Sequence, residues 1–332
     1  MVNMDSHLNE KSCCIEEEFV RVQGVKTAVL KLGHLKEKDA GGSPRTLMLI
    51  IPGNPGVPYY YEDFMQELYS HCGGQIPVWA IGQAGHIIPP GEHLSISNVV
   101  STNDNLYGLE AQISHKLAFI QENIPADVSL ILIGHSIGCY MILNILDGLA
   151  SRDIARCFML FPTIERMAVT PNGRKLTPLL RYFRWISVLL AFFFCFLPQT
   201  VRTELLKWVY RKVDYPECVP KALLKTVTPW SANFSTYLAK TEMNKVTTLQ
   251  RDLVEKHLSK LSLYYGTIDD WAPVQYYRDF MEQFPQADAR LCDLRLKHAF
   301  ILKKSEGQAM AKIIWQWALS HNTVTDMKSS LS

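Results

Sequence analysis

Two hydrophobic rhythms alternate along this chain. Short apolar runs at Glu18–Val22, Thr27–Leu32, Thr46–Ile51, Val78–Ile81, Val128–Ile133, Arg156–Phe161, Leu261–Tyr265 and Arg290–Leu294 read as strands. The unbroken run from Thr46 to Ile51 has no polar face, the mark of a central strand covered on both sides. Between the strands the period changes. Tyr59 to Ser70 and Tyr140 to Leu146 predict helices. Leu109, Ile113, Leu117, Ile120 and Ile124 recur at intervals of four, four, three and four, which is one helical face. Met310, Ile313, Ile314 and Trp317 mark a final amphipathic helix. Gly41-Gly42-Ser43-Pro44 is a turn, and Pro89 to Asn105 a polar loop. Strands alternating with helices predict a doubly wound, mostly parallel α/β sheet.

Residues from Pro162 to Lys260 leave that rhythm and read as a helical insertion between two core strands. The expected organisation is a flexible tail over 1–15, a first core segment over 16–161, and a helical cap over 162–260. A second core segment over 261–320 and a tail over 321–332 complete the chain.

The turn after the fifth strand carries chemistry. Gly134-His135-Ser136-Ile137-Gly138 is a G-x-S-x-G pentapeptide between an apolar strand and a helix. That context makes it a nucleophile elbow and gives the sheet an α/β-hydrolase fold. Ser136 projects from a tight turn, and the flanking glycines let strand and helix close around it. A serine hydroxyl needs a general base, and the base needs an orienting acid. The chain order in this fold is serine, acid, histidine. Tyr265-Gly266-Thr267-Ile268-Asp269-Asp270 ends a strand in a turn, and Asp269, three residues after the glycine, is favoured over Asp270 as the acid. Of the histidines after it, His298 follows the last strand, whereas His321 falls in the tail. The base is therefore His298. Ile137 N–H is one oxyanion donor. The second comes from Ile51-Pro52-Gly53-Asn54-Pro55-Gly56, where Pro55 has no N–H, so Asn54 supplies it, with Gly53 as the alternative. His86 is placed loosely at the pocket lining.

Bulk composition narrows the partners. A net charge of +2 over 332 residues, 48% of them hydrophobic, describes a globular protein and no nucleic-acid binder. Eight cysteines without a CxxC pair or a Cys/His cluster argue against a disulfide framework and a metal site. They suit a reducing compartment. The polar, acidic start predicts no signal peptide, and Cys13-Cys14 reads as two free thiols more readily than as an acylation site. No cofactor is required.

The most apolar segment is Trp185 to Pro198, inside the insertion. From Trp185 to Leu197 it spans ~20 Å as a helix, short of the roughly 30 Å hydrocarbon core. Arg181 and Arg184 precede it, and Arg202, Lys207, Arg211 and Lys212 follow. Basic residues on both sides suit an element that dips into one anionic face and returns. Trp185, Leu189, Leu190, Phe192, Phe193, Phe194, Phe196 and Leu197, within a membrane-binding segment over 179–200, are the candidate contacts. The competing reading is a cap helix buried on the core.

Further strings extend the picture. Leu160-Phe161-Pro162-Thr163-Ile164-Glu165-Arg166-Met167 and Pro171-Asn172-Gly173-Arg174 join the Pro-Gly loop, Tyr107-Gly108-Leu109 with His115 to Phe119, the elbow, Tyr264 to Trp271 and His298-Ala299-Phe300. On these segments the chain resembles the lipid droplet-associated hydrolase family from about residue 15 to 315. Asp270 stands where that family usually has proline. The resemblance implies a serine lipid hydrolase, with Ser136, Asp269 and His298 as its triad. It implies low activity on carboxylic esters of neutral lipids, sterol esters foremost, in cholesterol and triglyceride storage. It also implies residence on the lipid droplet monolayer and the cytosolic face of the endoplasmic reticulum membrane. The alternatives are a non-catalytic droplet-surface scaffold and a thioesterase or small-ester hydrolase with the same triad.

Overall fold

The apolar runs pair into one sheet of eight strands: β1 (Glu16–Val22), β2 (Val25–Leu32), β3 (Arg45–Ile51), β4 (Val78–Ile81), β5 (Val128–His135), β6 (Ile154–Leu160), β7 (Leu261–Tyr265) and β8 (Asp288–Leu291). This computed structural model describes residues 14–35, 45–92, 104–211 and 213–321. Most of the two tails, the Gly41 to Pro44 turn, much of the Pro89 to Asn105 loop, Cys13 and Lys212 lie outside the described residues. The strand order is β1-β2-β4-β3-β5-β6-β7-β8. β2 pairs antiparallel with β1 and β4, and every other pairing is parallel.

The helices, in chain order, are α1 (Glu62–His71), α2 (Asp104–Tyr107), α3 (Leu109–Asn123), α4 (Ile137–Ile145), α5 (Pro171–Tyr182), α6 (Arg184–Phe196), α7 (Gln199–Tyr210), α8 (Cys218–Thr226), α9 (Pro229–Lys245), α10 (Arg251–His257), α11 (Val274–Gln283) and α12 (Lys304–Ser320). Helices cover both faces of the sheet, because successive side chains of a strand point to opposite sides. Leu47, Leu49, Leu130 and Leu132 share one core with Ile113 and Phe119 of α3, Met141 of α4 and Phe280 of α11. Met48, Ile50, Ile131 and Ile133 share the other with Phe64 and Leu68 of α1 and Ile314 and Trp317 of α12. The architecture is thus the doubly wound, mostly parallel sheet that the alternation of runs predicts.

Three boundaries differ from the expectation. The helix read from Tyr59 begins as a 3-10 turn, Pro58–Tyr61, and becomes α-helical at Glu62, since Pro58 fixes the first position but cannot donate. The elbow helix starts at Ile137, directly after the serine, instead of at Tyr140. The last strand is Asp288–Leu291, not Arg290–Leu294. Asp288 enters the strand because its carboxylate has three donors: Ser262 Oγ at 2.5 Å, Trp317 Nε1 at 3.1 Å and His321 Nε2 at 2.7 Å. Leu294 lies past the strand's end and is exposed.

Among the described residues six α-helices, α5 to α10, separate β6 from β7. Two of them start from the same local signal, a threonine cap followed by proline at the first helical position. Thr170 accepts from Gly173 N–H at 2.9 Å, and Thr228 from Ser231 N–H at 3.1 Å. The root of the insertion is closed by backbone hydrogen bonds, Arg166 N–H to Thr247 O and Met167 N–H to Val246 O, at 2.8 and 3.0 Å. Among the described residues no single helix is long and apolar enough to cross a membrane; α5 and α6 form a pair bent by 81°.

Candidate active site

Parallel pairing of β3 with β5, from Arg45 opposite Val128 to Ile51 opposite Gly134, fixes the site. It delivers the loop after β3 beside the turn after β5, at the carboxyl edge of the sheet where such folds bind ligands. In that turn Ser136 has φ 54° and ψ −122°, a strained conformation for a residue with a side chain. The elbow tolerates no bulk around it. A methyl group on Gly138 would sit 2.1 Å from Ile51 O, and one on Gly134 would sit 2.9 Å from Cys139 N.

The structure brings Ser136, His298 and Asp269 into one hydrogen-bonded line. His298 Nε2 lies 2.9 Å from Ser136 Oγ, and His298 Nδ1 lies 2.7 Å from Asp269 Oδ2. The other Asp269 oxygen, Oδ1, accepts from the N–H groups of Trp271 and Ala272, at 2.7 and 3.2 Å. Burial works to raise the Asp269 carboxyl pKa. The charge of His298, with hydrogen bonds from His298, Trp271 and Ala272, outweighs it and keeps the group below the usual aspartate value. Asp270 is exposed; its backbone carbonyl accepts from Asn172 N–H at 3.2 Å. With Nδ1 donating to an ionised carboxylate, Nε2 is the position that takes a proton from the serine.

The loop after β3 is tied down from every side. Gln83 N–H donates to Gly56 O at 2.8 Å, and Gln83 Nε2 to Pro52 O at 3.0 Å. Gly56 N–H donates to His86 Nδ1 at 2.8 Å. His86 is fully buried beneath the loop and does not line a pocket, which corrects the expectation for it. Burial, then the proximity of Lys116, lowers its pKa to about 3, so it is a neutral acceptor there. Gly53 N–H donates to Tyr61 Oη at 3.1 Å. With that N–H committed, Asn54 remains the expected candidate for the second oxyanion donor.

The Asn54 side chain reaches into the insertion. Its Nδ2 donates to Ser235 O and to Glu242 Oε1, both on α9 and both at 2.9 Å. Burial, partly offset by the Asn54 hydrogen bond, pushes the Glu242 carboxyl up to about 8. Tyr61, Gln83, His135 and Glu242 are site supports that reading the sequence did not find. His135 was visible only as the variable position of the pentapeptide.

The apolar segment lies on the surface. Trp185, Leu189, Leu190, Phe192, Phe193, Phe196 and Leu197 are exposed, Phe196 by 71% and Trp185 by 61%. Phe194 is half-buried, and Ala191 is the buried residue of α6. Leu179, Tyr182 and Phe183, inside the expected segment over 179–200, are also exposed, and the patch extends beyond that segment to Val201, Leu205, Trp208 and Val209. Val201, Leu205 and Trp208 are spaced four and three apart, a signal that was present in the chain. Of the basic flank, Arg184 is engaged: its Nη1 donates to Asn233 O and Oδ1 at 3.0 and 2.8 Å. It pins α6 to α9, the helix that also holds Asn54. Among the described residues there is no group of three or more His, Cys, Asp or Glu able to hold a metal ion.

Comparison with known proteins adds lineage. A family model described as lipid-droplet associated hydrolase matches residues 44–301. The lipid droplet-associated hydrolase of Homo sapiens is 38% identical, over 90% of this chain and 93% of its own length. That of Gallus gallus is 36% identical over 93% and 97%, and that of Drosophila melanogaster 37% identical over 93% and 100%. Among solved structures, a thioesterase domain from the curacin biosynthetic pathway superposes with TM-score 0.59 at 16% identity, covering 91% of this chain and 99% of its own. The haloalkane dehalogenase DbeA from Bradyrhizobium elkani does so with TM-score 0.60 at 14% identity, covering 93% and 99%. At that identity the superpositions show a shared α/β-hydrolase fold and nothing of substrate.

Proposed function

Because the chain belongs to the lipid droplet-associated hydrolase family, we propose that it is a serine hydrolase cleaving carboxylic esters of neutral lipids at the droplet surface. One observation carries the reading: the Ser136–His298–Asp269 line lies in a chain whose insertion exposes a broad apolar surface. Ser136 Oγ attacks the ester carbonyl as His298 Nε2 takes its proton. The N–H groups of Ile137 and Asn54 receive the developing oxyanion. His298 returns the proton to the departing alcohol, and water then cleaves the acyl-serine ester by the same route. Asp269 keeps the imidazole in the required tautomer throughout.

The patch on α5, α6 and α7 is the proposed contact with the droplet monolayer and with the cytosolic face of the endoplasmic reticulum. Entry from one side requires no spanning helix, because a monolayer has no second aqueous face. Substrates dissolved in the droplet's oil phase, sterol esters foremost and triglycerides next, are then within reach of the insertion. The test uses purified protein and phospholipid-coated droplets of cholesteryl oleate or triolein. Wild type is expected to release fatty acid, more from the sterol ester, and Ser136→Ala to release none. Equal release by Ser136→Ala would overturn the mechanism. Droplet binding without release by either protein would favour a scaffold, a reading the size of the exposed patch also supports.

A further inference from the structure

Behind the nucleophile a second hydrogen-bonded line runs through buried groups. His135 Nε2 lies 2.8 Å from the backbone carbonyl of His298, and His135 Nδ1 lies 2.7 Å from Tyr61 Oη. Tyr61 Oη in turn receives Gly53 N–H. The directions are fixed by chemistry. A carbonyl only accepts, so Nε2 of His135 carries a proton. Burial, and then the charge of His298, lowers the His135 pKa to about 3, so the ring is neutral and Nδ1 is an acceptor. Tyr61 must therefore donate to Nδ1, and its oxygen is free to accept from Gly53. The phenol itself stays protonated because burial raises its pKa. Each bond of the line thus has one direction: Gly53 N–H to Tyr61 Oη, Tyr61 O–H to His135 Nδ1, and His135 Nε2–H to the His298 carbonyl.

We propose that Tyr61 and His135 are positioning residues that couple the oxyanion loop to the catalytic histidine, a proposal that rests on the serine-hydrolase reading. At one end the line holds the peptide next to the Asn54 N–H; at the other it holds the backbone of the residue whose imidazole moves the proton. Gly53 lies close against the nucleophile, since a methyl group there would be 3.1 Å from Ser136 Cβ. A shift of the loop thus changes the distance from serine to oxyanion donor. His135 and His298 rings are 5.4 Å apart, with His135 edge-on to Phe300 at 5.1 Å and to Phe161 at 6.4 Å, so the neutral ring is locked in place. Being neutral, it adds no charge to oppose a proton on His298.

The experiment measures kcat and KM on p-nitrophenyl butyrate, and the rate of fluorophosphonate labelling. It compares full-length wild type, Tyr61→Phe, His135→Gln, the double variant and Ser136→Ala. Tyr61→Phe keeps the ring and removes both hydrogen bonds; His135→Gln places an amide N–H where Nε2 donates. We expect kcat and labelling rate to fall roughly tenfold to a hundredfold in Tyr61→Phe, with KM unchanged. His135→Gln should lose less, because it keeps the donor to His298 O. The double variant should be no worse than Tyr61→Phe alone, as members of one line are non-additive. Wild-type kcat in both single variants, or losses that multiply in the double variant, would overturn the proposal. Should Tyr61→Phe fail to fold, wild-type kcat in His135→Gln would overturn it and a lowered kcat at constant KM would support it. Labelling of Ser136→Ala at the wild-type rate would instead overturn the serine-hydrolase reading.

Discussion

The two adjacent aspartates after β7 have opposite surroundings. Asp269 is buried, with three hydrogen bonds to its carboxylate, from His298, Trp271 and Ala272. Asp270 faces solvent. Asp269→Asn is therefore expected to lower kcat by roughly a thousandfold to ten-thousandfold through the wrong histidine tautomer. Asp270→Asn should stay near wild type. Kinetics on a soluble short-chain ester decide; a dead Asp270→Asn beside a normal Asp269→Asn would move the acid by one residue. Glu242 makes a prediction about pH. Its folded pKa of about 8 lies above the unfolded value of 4.5, so its contribution is fully present below 4.5 and is lost as pH rises through about 8. Glu242→Gln keeps an acceptor for Asn54 and has no proton to lose. Its Tm relative to wild type should climb between pH 6 and 9, by the equivalent of a few kcal/mol. A flat difference across that range would show that Glu242 is not buried as a neutral acid. Ser136, Asp269 and His298 were legible because each sits in a local turn pattern and their chain order is fixed by the fold. Tyr61, His135 and Glu242 were not, because their partners lie 74, 163 and 188 positions away.

Elements explain what the insertion does. α6 packs on α9 along one side, with Ala191 buried and Phe194 half-buried, while Trp185, Phe192, Phe193 and Phe196 face outward. Each large apolar side chain taken from water contributes about 1.5–3 kcal/mol, so the exposed face of α5, α6 and α7 offers more than a peripheral contact needs. Replacing Phe192, Phe193, Phe194 and Phe196 with serine should move the protein from droplets to the cytosol in lipid-loaded cells. Hydrolysis of a soluble short-chain ester should persist. A variant that still coats droplets would assign membrane binding to another surface, and one that misfolds would make the patch part of the core. The strength of the apolar run was evident in the chain. That the surface continues onto α7 was not read, because helix placement here rests on distant partners such as Asn233, 49 positions from Arg184. The misplaced last strand has a similar origin. Asp288 reads as a turn residue until Ser262, Trp317 and His321 are seen around its carboxylate.

At the scale of the whole molecule, four loops from separate parts of the chain meet at one edge of the sheet. The loop after β3, the elbow after β5 and the turns after β7 and β8 hold the proposed oxyanion donor, nucleophile, acid and base. α9 then joins that edge to the exposed helices, holding Asn54 through Ser235 and Glu242 and α6 through Asn233. The mostly parallel sheet follows from alternating runs and the rule that parallel neighbours need crossovers, whereas its strand order is set by pairings between distant strands. The path from the exposed apolar face to the loop after β3 follows from packing alone and has no counterpart in periodicity. The central claim is that Ser136 is an activated nucleophile. It is tested most directly by treating the purified protein with a fluorophosphonate and locating the adduct by peptide mass spectrometry. The account predicts one adduct on the peptide bearing Ser136, and no adduct in folded Ser136→Ala. An unmodified Ser136 in wild type, or undiminished labelling of Ser136→Ala, would contradict it.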